Sequence, residues 1–213
     1  NRITTLLITH PHSDHLGGVP YLLEHIGIGT VIDAGSAIHS SLFRQYRQLL
    51  DSLHIRHESL GAGAGIQASA GLRLYVLHPS QEFIPRDSTQ SSNLNNQSLV
   101  IKLVYGSTTL LLSGDAEQEA EENMVRCYGS FLRCAILKTG HHGSMTSTSP
   151  DYLDAVHPLK AVVSVGVKNI FNHPSPVVLA RLASVGTEYV RTDESGAVVM
   201  ESDGHRWTLV NWH

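Results

Sequence analysis

The stretch THPHSDHLGG, Thr9 to Gly18, places His10, His12, Asp14 and His15 within six consecutive positions and follows them with two glycines. Neutral imidazole nitrogen and carboxylate oxygen are the donors that hold zinc-like divalent ions. In such a loop alternate side chains point at one ion while the next two reach a second. Each ion needs three or more protein ligands and a water, so other segments must contribute. Asp115 in LLLSGDAE ends a strongly apolar run, where a charge is costly unless paired or metal-bound. The same residue suits the N-cap of the helix that follows. His141 and His142 in AILKTGHHGS follow another apolar run, and His173 in NHPSP comes shortly after a third. Potential ligands at the ends of apolar runs, recurring in order along the chain, point to one metal site assembled from distant segments.

Those runs are the elements that must position the site. Ile3–Thr9, Thr30–Asp33, Leu72–Leu77, Ser98–Tyr105, Thr108–Ser113, Cys134–Thr139, Ala161–Val165, Glu188–Arg191, Ala197–Glu201 and Arg206–Trp212 are compact and apolar or β-branched, as strands are. A Gly-Ser turn between Tyr105 and Thr108 marks a hairpin. Val19–Ile26, Ser40–Leu53, Ala116–Arg126, Asp151–Val156 and Pro176–Ser184 carry helical spacing, the last with Pro near its start. Gly17 and Gly18 are read as freeing the backbone to turn sharply into the first of these helices. Gly61–Gly71 and Pro79–Asn96 read as loops, the second long enough to form a functional rim. Strands interleaved with helices and hairpins indicate a layered α/β architecture with mixed sheets.

Composition narrows the function. With 213 residues, 41% hydrophobic and 16% charged, the chain is expected to form one domain, 1–213. It contains no apolar run near the ~18 residues that span a bilayer. Asn1–Ile8 lacks the basic start and cleavage site of a signal peptide, so the chain as given is expected to be soluble. A net charge of −4 leaves no overall basic footprint, so nucleic-acid contact would be local or metal-mediated. Fourteen histidines favour metal over a polyanion-binding surface. Cys127 and Cys134 read as unbridged, half-buried small hydrophobes.

THPHSDHLGG resembles the H-x-H-x-D-H signature of the metallo-β-lactamase fold, an αββα sandwich of two mixed β-sheets flanked by helices with a dinuclear metal site at one edge. NNQSLVIKLVYG, LLLSGDAEQEAE, LKTGHHGS, NHPSPVVLARL and VRTDESGAV resemble, in this order, the soluble domain of the ComEC competence DNA-uptake family, over Ile3 to about Met200. The resemblance implies two divalent metal ions, Zn or Mn. His10 and His12 would bind the first, Asp14 and His15 the second, with Asp115 bridging and His173 completing the ligands of the second ion. One of His141 and His142 would bind or approach the first ion and the other would face the substrate phosphate. The fold's usual third histidine has no counterpart; Asn95 or Asn96 stands in its place, as in ComEC-like sequences. Members of the fold begin with several strands before the histidine loop and this chain begins with one, so its N-terminal strands are expected to be missing and it reads as a fragment of a longer chain.

The implied chemistry is metal-assisted hydrolysis, in which bound cations lower the pKa of a water from ~16 towards ~7. Asp14 would orient the hydroxide and His141 or His142 would protonate the departing oxygen. Asn96, Lys138 and Ser144 would contact substrate. The expected function is a phosphodiesterase or DNase degrading one strand in DNA uptake. Hydrolysis of a small phosphodiester or other ester is the alternative, favoured by how few basic residues (Arg44, Arg47, Lys138, Lys168) lie near the motifs. A further alternative is a catalytically weak metal-binding module of a membrane DNA transporter. Expected partners are single-stranded DNA or a small phosphodiester and a membrane channel domain of the same longer chain. A ComEC-like protein would place the domain on the extracytoplasmic side of the membrane; otherwise it would be cytoplasmic.

Overall fold

Three apolar clusters, each lying between a different pair of layers, define the architecture of the computed structural model, which describes residues 2–36, 38–84 and 93–210. A three-stranded parallel sheet runs β1 (Arg2–Leu7), β2 (Gly27–Asp33), β3 (Arg56–Ser59). Successive strand side chains face opposite ways, so Val31 enters a cluster with Ile8, Leu16, Leu23, Tyr46 and Leu50, while Ile32 joins Leu74, Val76, Leu99 and Ile101. The first cluster packs the sheet against α2 (Val19–His25) and α3 (Ser41–Ser52). The second joins it to a seven-stranded sheet built from β4 (Gly65–Ser69), β5 (Leu72–His78), β6 (Val100–Tyr105), β7 (Thr108–Leu112), β8 (Ile136–Lys138), β9 (Lys160–Val163) and β10 (Glu188–Arg191). On the far face Leu111, Leu137 and Ala161 bury against α4 (Gln118–Tyr128), α5 (Pro150–Val156) and α6 (Pro176–Ser184). The layers are therefore helix, sheet, sheet, helix, as expected.

The larger sheet is mixed. β4 to β7 pair antiparallel, with the Gly106-Ser107 turn closing the expected hairpin, and β7 to β10 pair parallel. Parallel pairing brings the carboxyl ends of β7, β8 and β9 to one edge, with Leu112 beside Lys138 and Lys138 beside Val162. A backbone bond from Leu99 N to Thr9 O (2.9 Å) ties the end of β1 to the same edge. All four chemistry-bearing segments leave from there. A separate hairpin of β11 (Val199–Ser202) and β12 (Trp207–Val210) follows the short α7 (Thr192–Ser195).

Three sequence expectations change. The segment read as the loop Gly61–Gly71 contains β4, and β3 was not anticipated; both are short edge strands, so neither carries the apolar alternation that burial on one face imposes. Gly17 and Gly18 occupy ordinary right-handed helical dihedrals and do not serve as hinges; the turn is made by the four-residue α1 (Ser13–Leu16) inside the motif itself. Cys134 is buried and Cys127 exposed, both unpaired. Residues 85–92 of the Pro79–Asn96 rim and the end of the Arg206–Trp212 run lie outside the described residues. Among the described residues no helix is long and apolar enough to cross a membrane.

Candidate metal centre

β1 ends at Leu7, and the chain then delivers His10 and His12 from an extended stretch and Asp14 and His15 from the four-residue α1. Thr9 Oγ1 lies 3.1 Å from Nδ1 of both His10 and His15, and Ser98 Oγ lies 3.2 Å from His10 Nδ1. With their Nδ1 edges held, both rings turn Nε2 towards Asp115, whose Oδ2 sits 3.8 Å from His10 Nε2 and 3.2 Å from His15 Nε2. His12 presents Nδ1 3.0 Å from His10 Nε2. Fixing one ring nitrogen so that the other faces a metal is the usual outer support of such sites.

Asp115 follows β7 through Gly114, which has φ +54°, the left-handed region that favours glycine. Space makes the same demand: a Cβ on Gly114 would lie 2.8 Å from the Ser98 Cβ and 3.2 Å from the Thr9 Cβ. The Asp115 backbone N–H donates to Ser98 Oγ (3.0 Å). The carboxylate is 1% exposed, yet its Oδ1 has no hydrogen-bond partner. Burial pushes its pKa up, but the imidazoles of His15, His142 and His10 outweigh that and hold it well below the usual carboxylate range. It is an ionised, buried and incompletely satisfied acceptor, the state that costs most without a cation.

His141 and His142 both adopt left-handed backbone, φ 42° and 53°, at a cost of about 1–2 kcal/mol each. The strain splits the two rings. His142 Nδ1 donates to Ser164 O (2.8 Å), a carbonyl that can only accept, so in the neutral ring Nε2 carries a lone pair. That lone pair faces Asp14 Oδ2 at 3.2 Å and Asp115 Oδ2 at 3.5 Å. His141 instead sets Nδ1 3.0 Å from Glu117 Oε1. Glu117 also accepts from Thr146 Oγ1 (2.9 Å) and Asn95 Nδ2 (3.2 Å). Burial pushes its pKa up, but these donors, Asn93 and His141 together hold it below its ordinary value.

Asp14, His15, Asp115 and His142 each offer a ligand atom, all within 4.8 Å of one another. Nitrogen and oxygen atoms of these side chains 3.0 to 3.8 Å apart match the edges of a coordination shell, roughly 3.3 Å for tetrahedral Zn–N bonds near 2.05 Å. The donor set, nitrogen with carboxylate, and the orphaned Asp115 Oδ1 fit divalent metal. Burial and the neighbouring His15 lower the His10 pKa to about 3, so that ring is an unprotonated donor.

The remaining expected site residues divide. His173 lines the same cleft, of about 410 Å³, together with His12, Asp14, Asn95, His141 and Phe171. Its ring packs on His141 (5.6 Å) and Phe171 (5.9 Å), and it is not one of the four converging ligands. Burial and His141 lower its pKa. The Asn96 carboxamide is occupied inside the fold, accepting from Glu117 N (2.9 Å) and donating to Glu119 Oε2 (3.2 Å); Asn95 lines the cleft instead. Lys138 Nζ donates to Thr139 O (3.0 Å) and Gly114 O (3.3 Å), and Ser144 Oγ bonds Thr146 Oγ1 (2.9 Å). Sequence reasoning missed Thr9, Ser98 and Glu117.

A buried carboxylate among strand-end histidines on two packed sheets defines a class, and the sequence profile of the metallo-beta-lactamase superfamily matches residues 1–167: the chain belongs to that family. Its relatives include a competence protein by name. It is 32% identical to Competence protein ComA of Neisseria gonorrhoeae, over 80% of this chain and 28% of that protein. It is 26% identical to ComE operon protein 3 of Bacillus subtilis (strain 168), over 92% of this chain and 24% of that one. The chain thus spans about a quarter of the length of the curated relatives it matches. The fold is also that of CmlA, a diiron beta-hydroxylase from Streptomyces venezuelae (TM-score 0.56, 14% identity, 89% of this chain and 44% of that one). Zn(2+)-bound PqqB from Methylobacterium extorquens shares it too (TM-score 0.51, 12% identity, 89% and 71%).

Proposed function

We propose that this domain is a metal-dependent phosphodiesterase that cleaves single-stranded DNA, acting in DNA uptake beside a membrane channel domain of the same longer chain, on the extracytoplasmic side. The observation that carries the reading is Asp115: a buried, ionised carboxylate with Oδ1 unpartnered and Oδ2 within 3.8 Å of three imidazole nitrogens. The similarity to competence proteins supports the substrate and setting. Two divalent ions, Zn or Mn, suit the donor set: His10 and His12 would hold one, Asp14, His15 and His142 the other, with Asp115 between them. Bound there, such ions lower the pKa of water and draw charge from a phosphoryl oxygen.

The chain's own residues do the rest. Asp14, with its Oδ2 3.2 Å from His142 Nε2, orients the nucleophile at the mouth of the cleft. Glu117 fixes the His141 ring through Nδ1, and in the doubly protonated ring the Nε2–H is free to pass its proton to the departing oxygen, leaving the neutral imidazole. His142, held by Ser164 O, is the ligand of the pair, an assignment adjacent positions in a sequence cannot make.

A second reading, hydrolysis of a small phosphodiester, is favoured by the absence of Lys and Arg among the described residues lining the cleft. The deciding assay offers single-stranded DNA and bis(p-nitrophenyl) phosphate to the zinc- or manganese-loaded protein, with Asp14→Ala and His142→Ala alongside. DNA cleavage lost in both variants is the expected result. Cleavage of the small ester alone supports the second reading, and activity that persists in both variants removes this site from the reaction.

A further inference from the structure

Between the end of β9 and the start of α6, the chain crosses the mouth of the cleft, and Val165, Gly166, Asn169, Phe171 and His173 form part of its lining. Besides Lys168 and Asn172, this crossing exposes apolar side chains to solvent: Phe171 is 71% exposed and Ile170 86%. Leaving a phenylalanine side chain in water forgoes stabilisation its burial would give. The segment is nevertheless fixed. The Asn169 carboxamide donates to His173 O (2.7 Å) and Gly166 O (3.2 Å) and accepts from His173 N (2.9 Å), clamping both ends around Phe171. The Phe171 ring lies near-parallel to His173, at 22° and 5.9 Å, and His173 meets His141 at 5.6 Å. One face of the phenyl ring is covered, the rest is open, and the ring stands one side chain beyond the proposed proton donor.

The electrostatics of the cleft say what such a ring would serve. Among the described residues no Lys or Arg lines it, whereas Asp14 and Asp115 do. A polyanionic strand therefore finds few cationic partners there for its flanking phosphates, Lys168 at the rim being the one on this crossing. Its grip outside the metal centre has to come from something flat, apolar and indifferent to charge, and each nucleotide offers that in its base. Base stacking on aromatic side chains is the sequence-tolerant route to single-strand binding.

Resting on the phosphodiesterase reading, we infer that Phe171 is a stacking platform for the nucleobase next to the scissile phosphate, which makes the preferred substrate an unpaired strand. In a duplex that base is stacked and paired already, so it reaches the ring only after leaving the helix.

The test is a short single-stranded oligonucleotide carrying 2-aminopurine beside the cleavage point, titrated with the metal-free and manganese-loaded protein, wild type, Phe171→Ala and Phe171→Trp. Expected are fluorescence quenching on binding, affinity about tenfold weaker in Phe171→Ala, and retention in Phe171→Trp. Removing the base at that position should weaken wild type by the same factor and Phe171→Ala by little more, the non-additive cycle of a direct contact. Affinity should also respond weakly to added salt, since few phosphates are neutralised by side chains. Equal binding by Phe171→Ala, or equal losses on base-bearing and abasic strands, overturns the inference and leaves the ring as a contact for another protein segment. Phe171-dependent binding without cleavage upholds the platform and sinks the phosphodiesterase reading. Cleavage indifferent to Phe171 does the reverse.

Discussion

Two buried aspartates, each at or just beyond the end of a strand and each facing histidine, have opposite fates in this molecule. Asp33, at the end of β2, is completely engaged. Its Oδ1 accepts from Gly35 N (2.8 Å) and Ser59 Oγ (3.1 Å), and its Oδ2 from Tyr46 Oη (2.9 Å) and His57 Nε2 (2.8 Å). Arg47 in turn reaches His57 Nδ1 (3.0 Å). Asp115 is just as buried, but one oxygen has no partner and the other faces three imidazoles. The difference separates a carboxylate that closes a network from one that awaits a ligand. Burial and histidine neighbours alone do not mark a metal site; unfilled acceptor capacity does.

The contrast can be broken at either end. The largest effect is expected at Asp115→Asn: removing an outer partner of a metal ligand costs about 10–100-fold, so losing this ligand should exceed that in metal affinity and in kcat. Elemental analysis and turnover check it, and full metal content in the variant would erase the distinction. Next comes Glu117→Gln, expected to lower kcat by about 10–100-fold with metal content unchanged. A matching fall in bound metal would show that Glu117 supports the ligands and not His141. Asp33→Ala should move stability instead, by about 3 kcal/mol in urea unfolding, because Tyr46 and His57 lose a buried acceptor, while the folded variant takes up metal normally.

The smallest effect concerns His78, buried away from the centre with Nε2 donating to Asn96 O (2.7 Å). Burial lowers its pKa from 6.5 to about 4, so the folded chain holds it neutral while the unfolded chain protonates it. A depressed folded pKa gives stability that is present above 6.5 and lost as pH falls towards 4. In the metal-free protein His10 adds to the same slope. His78→Gln should flatten part of it in unfolding midpoints taken across that range, and an unchanged slope would take His78 out of it and leave the other depressed histidines, His10 and His173.

Much of this was legible in the residues. His10, His12, Asp14, His15 and Asp115 declare themselves because ligand-type side chains at the ends of apolar runs have few other reasons to gather. The helices read well where a cap coincides with periodicity, as at Ser40, whose Oγ accepts from Phe43 N (3.0 Å). Glu117 was hidden because it sits in the acidic stretch AEQEAEE, where a first-turn carboxylate is ordinary helix chemistry. Ser98 acts through His10 and Asp115, distant in the chain, and Thr9 through His10 and His15, one and six residues on, by a contact that the residue type alone does not announce. Neither the split between His141 and His142 nor the withdrawal of Asn96, Lys138 and Ser144 from the cleft follows from spacing; both depend on carbonyls and side chains that meet through the fold.

Consecutive left-handed histidines at 141 and 142 have an evolutionary corollary. Glycine, asparagine or aspartate would relax that backbone most readily, so variation screened for foldability alone should drift towards those residues and lose both imidazoles. Retaining two strained rings there requires selection for what they hold. A display library randomised at the pair and sorted first by protease resistance, then by zinc retention, should enrich small residues in the first sort and histidine at 142 in the second.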